Sequence, residues 1–298
     1  MAYLLLSLTA LFWAGNFVLG RAMHLVIPPM LMAEIRWSLA LVIILPFLLP
    51  RLIANREVIR RHWLKLSVMA ILSVASFNTL VYIGLTMTTA TNATLLQSAV
   101  PIVILLISGT LLKEHIAVKQ WLGVAISLLG VITLITQGDL TQLLHLQINQ
   151  GDIWILGAVL SWAIYSITLR WRPAELDGFT FFGVTVAVGV VVLLPFAWYD
   201  LNHSQPVVWE LNVYLTLVYM AICPSILAYL FWNRGVEELG APKAGLFIHL
   251  MPIFGLLLSA LFLDETVYSY HFVGMILIFA GIYLAVISDV MKRIRKST

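Results

Sequence analysis

The chain is a succession of apolar stretches, each about as long as a bilayer is thick, separated by short polar breaks. A helix needs about 20 apolar residues to cross the hydrocarbon core. The sequence offers ten such segments, near 3–22, 30–49, 64–88, 90–111, 116–136, 152–170, 178–198, 210–233, 242–263 and 267–289. The third and fourth are divided only by Thr86-Met87-Thr88-Thr89-Ala90-Thr91-Asn92, which interrupts an apolar run from Leu66 to Leu112. That run is too long for one crossing, so a tight polar turn must split it. Of 298 residues, 61% are hydrophobic and 10% charged. Soluble domains average about 45–50% and about 25%, so lipid must be the solvent for much of this surface. An all-α integral membrane protein follows, with no room for a separate soluble domain. The first stretch lacks a basic leader region and an A-x-A site, and reads as a span rather than a cleaved signal.

The basic residues test the count. With the N-terminus inside, the inner loops and tail hold Arg51, Arg56, Arg60, Arg61, Lys65, Lys113, Lys119, Arg170, Arg172, Arg234, Lys243, Lys292, Arg293, Arg295 and Lys296, which is 15 of the 17 Lys and Arg. Arg21 and Arg36 remain. The outer loops carry Asp139, Asp152, Asp200, Glu210, Asp264 and Glu265. A wrong helix count would scramble this segregation, so it predicts ten spans with both termini cytoplasmic. The net charge of +3 is thus a topology signal and gives no reason to expect a nucleic-acid partner. Cys223 is the only cysteine, which rules out an intrachain disulfide or a cysteine metal cluster. No metal or cofactor is expected.

The sequence also repeats itself. Leu11-Phe12-Trp13-Ala14 returns as Leu160-Ser161-Trp162-Ala163 and Pro46-Phe47 as Pro195-Phe196, both at an offset of 149. Further on the offset is 151: Gly84 matches Gly235, Ala93 Ala244, Pro101-Ile102 Pro252-Ile253, Glu114 Glu265, Gly123 Gly274 and Gly130 Gly281. The expected units are 1–138, 151–289 and a basic cytoplasmic tail, 290–298. Each half holds five spans, an odd number, so the second must be inverted relative to the first. Inverted repeats are the architecture of many secondary transporters, with the solute bound near the midplane between halves.

Several of these residues resemble the drug/metabolite transporter superfamily, EamA-type. They are Trp13-Ala14-x-Asn16-Phe17, Arg36-Trp37, Ala93 with Pro101, Leu112-x-Glu114 and Gly123-x6-Gly130, with counterparts Ala244, Pro252, Asp264-Glu265 and Gly274-x6-Gly281. The resemblance covers about 1–289 and implies a ten-helix, five-plus-five inverted repeat. It also implies a bacterial inner membrane and, often, export of amino acids, other metabolites or toxic compounds. The second half departs from the pattern, with Tyr165 in place of the asparagine and Thr185 in place of Arg36.

Polar groups within spans should face the bundle interior, because lipid-facing ones are costly. Trp13 and Asn16 share a face of the first span and align with Trp162 and Tyr165 of the sixth. The two indoles are expected either to wall a cavity or to pack in the core. Asn78 and Tyr82 lie one turn apart in the third span, and Tyr229 and Asn233 one turn apart in the eighth, with residue types exchanged between halves. They suit hydrogen bonding to a solute or between helices. Thr94, Gln97 and Pro101 line one face of the fourth span, as Gly245, His249 and Pro252 do in the ninth. Pro101, Pro224 and Pro252 are candidate hinges or static kinks. Arg36 suits a solute carboxylate, or else caps helix-end carbonyls. His249 could bind solute, couple transport to protons, or sit neutral and hydrogen-bonded. Glu34 is a second candidate for coupling, with pairing to Arg21 as the alternative. The paired glycines are assigned to packing.

Three function classes are weighed. The sequence has no H-E-x-x-H, G-x-S-x-G, Walker A or G-x-G-x-x-G, which argues against an enzyme. No selectivity filter or charged ring is readable, which argues against a channel. A secondary transporter remains, driven by a gradient, with protons as a candidate coupling ion. Its expected cargo is a small amphipathic metabolite such as an amino acid, moved outward by alternating access. Export of toxic organic cations is the alternative. Nothing in the sequence specifies an oligomeric state.

Overall fold

The structure, a computed structural model, describes residues 1–23, 25–88, 90–139, 141, 149–262 and 268–287. The tail 290–298, the last two residues of the second expected half and the Asp264-Glu265 pair lie outside the described residues. Among those described, every regular element is helical and ten helices are long and apolar enough to cross a membrane. We number these spans α1 (Ala2–Gly20), α2 (Pro29–Ala54), α3 (Trp63–Met87), α4 (Asn92–Thr110), α5 (Val118–Ile135), α6 (Gln150–Trp171), α7 (Gly178–His203), α8 (Leu211–Leu239), α9 (Ala241–Leu258) and α10 (Ser269–Val286). The protein is a multi-pass membrane protein.

Three helices outrun the expected spans. α2 continues five residues past 49, α7 five past 198 and α8 six past 233. Pro46 and Pro50 sit inside α2 and Pro195 inside α7 without ending them. In a packed bundle, neighbouring helices compensate for the lost N–H. The extensions carry charged or polar residues such as Arg51, His203 and Arg234. Gly240, with φ +80°, ends α8 and turns the chain directly into α9, a backbone geometry that glycine adopts without steric cost.

The sequence repeat has a structural counterpart. α2 and α7 are both 26 residues long and begin 149 positions apart; α5 and α10 are both 18 residues long and begin 151 apart. In two equivalent pairs, α2–α7 and α5–α10, the helices run antiparallel. Arg51, near the end of α2, pairs with Asp177, at the start of α7, at 3.0 Å. Asp200, near the end of α7, accepts the backbone N–H of Met30 and Leu31 at the start of α2. In the α5–α10 pair, a Cβ on Gly123 would lie 2.6 Å from the Gly281 carbonyl, and one on Gly130 would lie 2.6 Å from the Gly274 carbonyl. Close backbone approach of this kind needs small residues, so the glycines form a packing seam.

Apart from a 3-10 turn at the end of α6 (Leu169–Trp171) and a π segment at the end of α10 (Tyr283–Ile287), four helices deviate from regular α geometry in matched positions. α3 contains a π-helical segment, Ile71–Ser76, and α8 contains another, Ala221–Leu227. α4 is broken between Gln97 and Val100. α9 passes through a 3-10 segment, Leu246–Leu250, before Met251. In both broken helices a proline follows, Pro101 or Pro252. Neither ring supplies an N–H to the residue four positions earlier; those residues are Gln97 and Ile248.

Candidate functional site

The matched irregularities converge on the middle of the bundle. A small central chamber is lined by Trp13, Asn16 and Phe17 of α1, Arg36 of α2, Phe77 and Asn78 of α3, Gln97 of α4, Trp162 of α6, and Ile248 and Met251 of α9. Its volume is about 10 Å³, room for about one water. Both residues left without a proline N–H, Gln97 and Ile248, lie on its wall.

Arg36 dominates the chamber. It is 1% exposed. Its Nε donates to Ser225 Oγ at 2.7 Å, and its Nη1 donates to Asn16 Oδ1 at 3.0 Å and to the Tyr82 hydroxyl at 2.5 Å. The Tyr82 hydroxyl also donates to Asn16 Oδ1 at 3.1 Å. The guanidinium lies over the rings of Trp37 and Tyr82, 5.0 and 5.9 Å from their centroids. All these partners are neutral. Among the described residues no carboxylate pairs with Arg36. Glu34, two positions away, instead accepts from its own helix, from Ser38 Oγ at 2.7 Å, and its Oε2 is buried without a partner. The side chain of Arg21, the expected alternative partner of Glu34, lies outside those described.

Two further polar atoms on the chamber wall lack a partner, Gln97 Nε2 and Trp162 Nε1. Both are donors. Trp13 has used its own N–H, which donates to the Pro224 carbonyl in the π segment of α8 at 3.2 Å. The indoles of Trp13 and Trp162 meet edge to face with centroids 4.9 Å apart. Trp232 stacks obliquely against both, at 5.3 and 5.6 Å.

The irregular α3 segment is held by side chains. Asn78 Nδ2 donates to the Ser73 and Val74 carbonyls at 3.1 Å and to the Tyr229 hydroxyl at 3.1 Å. That hydroxyl donates to the Ser73 carbonyl at 2.7 Å. The Tyr165 hydroxyl donates to Asn233 Oδ1 at 2.7 Å, the second-half equivalent of the Tyr82–Asn16 bond. Thr185, at the place of Arg36, is buried and turns its hydroxyl onto the Phe182 carbonyl at 2.7 Å.

His249 stands off the chamber wall. Its Nε2 lies 2.9 Å from the Ser98 carbonyl and its Nδ1 lies 2.6 Å from Ser127 Oγ. A carbonyl only accepts, so Nε2 carries a hydrogen, while Nδ1 faces a hydroxyl that can donate or accept. The ring thereby ties α9 to α4 and α5. Tyr165 and Tyr229 likewise stand behind the lining. Of the sequence candidates, Trp13, Asn16, Arg36, Asn78, Gln97 and Trp162 line one chamber, and Tyr82 braces Arg36. Phe77, Met251 and Ser225 join them without having been singled out. Phe77 could have been found as the neighbour of Asn78, and Ser225 as the neighbour of Pro224.

Contacts between the halves lie at both ends of the bundle. On the face bearing the N-terminus, Arg51 pairs with Asp177 and Glu114 with Arg170. On the opposite face, Asp200 caps α2, and Asp152 Oδ1 accepts from Thr88 Oγ1 at 2.6 Å. Asp177 also caps its own helix, accepting from Phe179 N and Thr180 N. Burial pushes its carboxyl up, but the Thr180 bonds and the Arg51 guanidinium outweigh this and hold it below the ordinary 3.8.

The sequence model of the EamA-like transporter family matches residues 1–136 and 149–287. An uncharacterized transporter of Bacillus subtilis, YyaM, is 26% identical over 286 residues, covering 95% of this chain and 92% of its own. An uncharacterized transporter of Archaeoglobus fulgidus is 27% identical, covering 95% and 96%. Protein PecM of Dickeya dadantii is 27% identical, covering 76% and 75%. A solved crystal structure aligns with a TM-score of 0.76 at 19% identity, covering 95% of this chain and 96% of its own. This last likeness shows the fold alone.

Proposed function

The chain belongs to the EamA-like transporter family, and from that premise we propose that it exports small carboxylate-bearing metabolites, amino acids foremost, by alternating access. The observation that supports this cargo is the buried Arg36 with only neutral partners. An unpaired charge in a membrane interior is costly and marks a solute path. A carboxylate would complete it, taking a charge-assisted bond from the guanidinium. The two unpartnered wall atoms, Gln97 Nε2 and Trp162 Nε1, are donors as well and suit the same acceptor.

The chamber, at about 10 Å³, is too small for an amino acid, so solute entry requires the halves to move apart. The halves, 1–138 and 151–289, would rock about the matched breaks at Pro101 and Pro252 and the π segment around Pro224 to admit solute from either side. The basic loops support an N-terminal face in the cytoplasm, and the family resemblance supports a bacterial inner membrane. Glu34, with a buried oxygen unpartnered, is the better candidate for carrying a coupling proton, since both nitrogens of His249 are engaged. Counterflow in proteoliposomes tests the proposal. Saturable exchange of labelled amino acids that collapses in Arg36→Ala supports it. Efflux of quaternary ammonium compounds that survives Arg36→Ala would replace it with the cation reading.

A further inference from the structure

Two open cavities of about 410 and 360 Å³ lie at the N-terminal face, between the ends of α6, α7 and α8. Both are lined by Arg172, Asn233 and Glu237, so they adjoin at these residues and together make up a vestibule. Asn233 is 5% exposed and its Nδ2 is buried without a partner. Its Oδ1 is already held by the Tyr165 hydroxyl. The amide therefore offers a fixed, unused donor at the deepest point of the vestibule. One layer of rings separates this point from the central chamber: Tyr165 lies 5.2 Å from Trp162, which lines the chamber.

The vestibule is the two-fold counterpart of the Arg36 site. Asn233 and Tyr165 are equivalent to Tyr82 and Asn16, the pair that braces Arg36. The second half has Thr185 where the first has Arg36, so no cation comes from the helix. Arg172 supplies one from the loop between α6 and α7. It pairs with Glu237 at 3.0 Å. The remaining charges around the vestibule have other partners: Arg170 holds Glu114, Asp177 holds Arg51, and Arg234 holds Glu238 as well as Glu237.

We propose that this vestibule is a second solute station, which takes a zwitterionic amino acid with its carboxylate on Asn233 Nδ2 and Arg172 and its ammonium on Glu237. Binding exchanges the Arg172–Glu237 ion pair for two ion pairs to the solute, so no charge is stranded. A simple anion leaves Glu237 only its 3.6 Å contact with Arg234, and a simple cation takes Glu237 from Arg172 without replacing it, so a zwitterion matches the pair best. Arg234 keeps Glu238 throughout. Solute then passes the ring layer from Asn233 to Arg36, between two stations related by the pseudo-two-fold axis. This inference rests on the amino-acid reading of the central chamber but assigns a separate site.

Ala174, exposed in the loop and lining the vestibule, provides a reporter. Ala174→Cys in a Cys223→Ser background is labelled with a maleimide in the purified full-length protein. Labelled leucine, phenylalanine, methionine and threonine are used in parallel counterflow assays. A transported amino acid at twice its dissociation constant slows labelling about threefold, whereas acetate or methylamine at the same concentration does not. Protection is lost in Asn233→Leu, and also in Arg172→Gln, which leaves the Tyr165 bond intact. It persists in Arg36→Ala, where counterflow is lost. Intact counterflow with no protection overturns the second station and leaves the chamber reading standing. Loss of both counterflow and protection across the panel overturns both.

Discussion

Asn78 and Tyr229, which occupy equivalent positions in the two halves, are hydrogen-bonded to each other at 3.1 Å. A contact between a residue and its own repeat mate can form only close to the axis relating the halves. The same two side chains converge on the Ser73 carbonyl in the irregular segment of α3. This bond therefore couples the symmetry axis to the π segment beside the chamber.

A double-mutant cycle of Asn78→Leu and Tyr229→Phe should give a coupling of about 0.6 kcal/mol, the average for such bonds in membrane interiors. Thermal unfolding in detergent reads it. Additive single-mutant effects would show that the two side chains act separately.

Arg36→Lys keeps a charge but loses the planar fork that reaches Asn16, Tyr82 and Ser225 together. A lost charged hydrogen bond is worth about 1.5–3 kcal/mol, so the apparent affinity for carboxylate solutes should fall at least about tenfold. Concentration-dependent counterflow measures this. An unchanged half-saturation point would remove Arg36 from the binding site.

The glycine seam is testable by adding one carbon. In Gly123→Ala the new Cβ would sit 2.5 Å from the Ala285 Cβ, and in Gly130→Ala 2.6 Å from the Gly274 carbonyl. Overpacking of this kind costs about 1–3 kcal/mol, so both variants should melt earlier. Gly255→Ala, with open space around the added carbon, is the control and should melt no lower than the native chain. Equal melting of all three would contradict the close approach of α5 and α10.

The Arg51–Asp177 latch should respond to acid. The folded carboxyl lies below its ordinary 3.8, so its contribution is complete above that value and is lost as pH falls through the lower folded value. Asp177→Asn should therefore be less stable than the native protein near neutrality. The gap should close as pH drops below 3.8. A gap that persists unchanged in strong acid would mean that the effect does not come from the charge.

Much of the fold was legible because lipid imposes a simple rule: every crossing must be apolar and about 20 residues long. The repeat was legible because matched glycines and prolines mark backbone positions that few other residues tolerate. The facing of Trp13 and Trp162 followed from their alignment at offset 149. The hydroxyl partners were not legible. Ser225 reaches Arg36 across 189 residues, and Ser127 reaches His249 across 122. A lone serine in an apolar helix carries no periodic signal. The π segment Ile71–Ser76 contains no proline or glycine, so nothing local announced its change of winding. The overrun at α2 was hidden because the apolar run stops before Pro50 and Arg51, which the helix passes through, and that at α7 because the helix carries on past Asp200 to His203.

The α2–α7 pair is fastened differently at its two tips. At one tip Arg51 and Asp177 are half-exposed, with side chains 49% and 51% accessible; at the other Asp200 is buried against backbone amides of α2. Dissolved ions screen the first and scarcely reach the second. Rising ionic strength therefore loosens the door on the N-terminal side alone. On the alternating-access proposal, the electrolyte on that side of the bilayer biases which way the molecule leans.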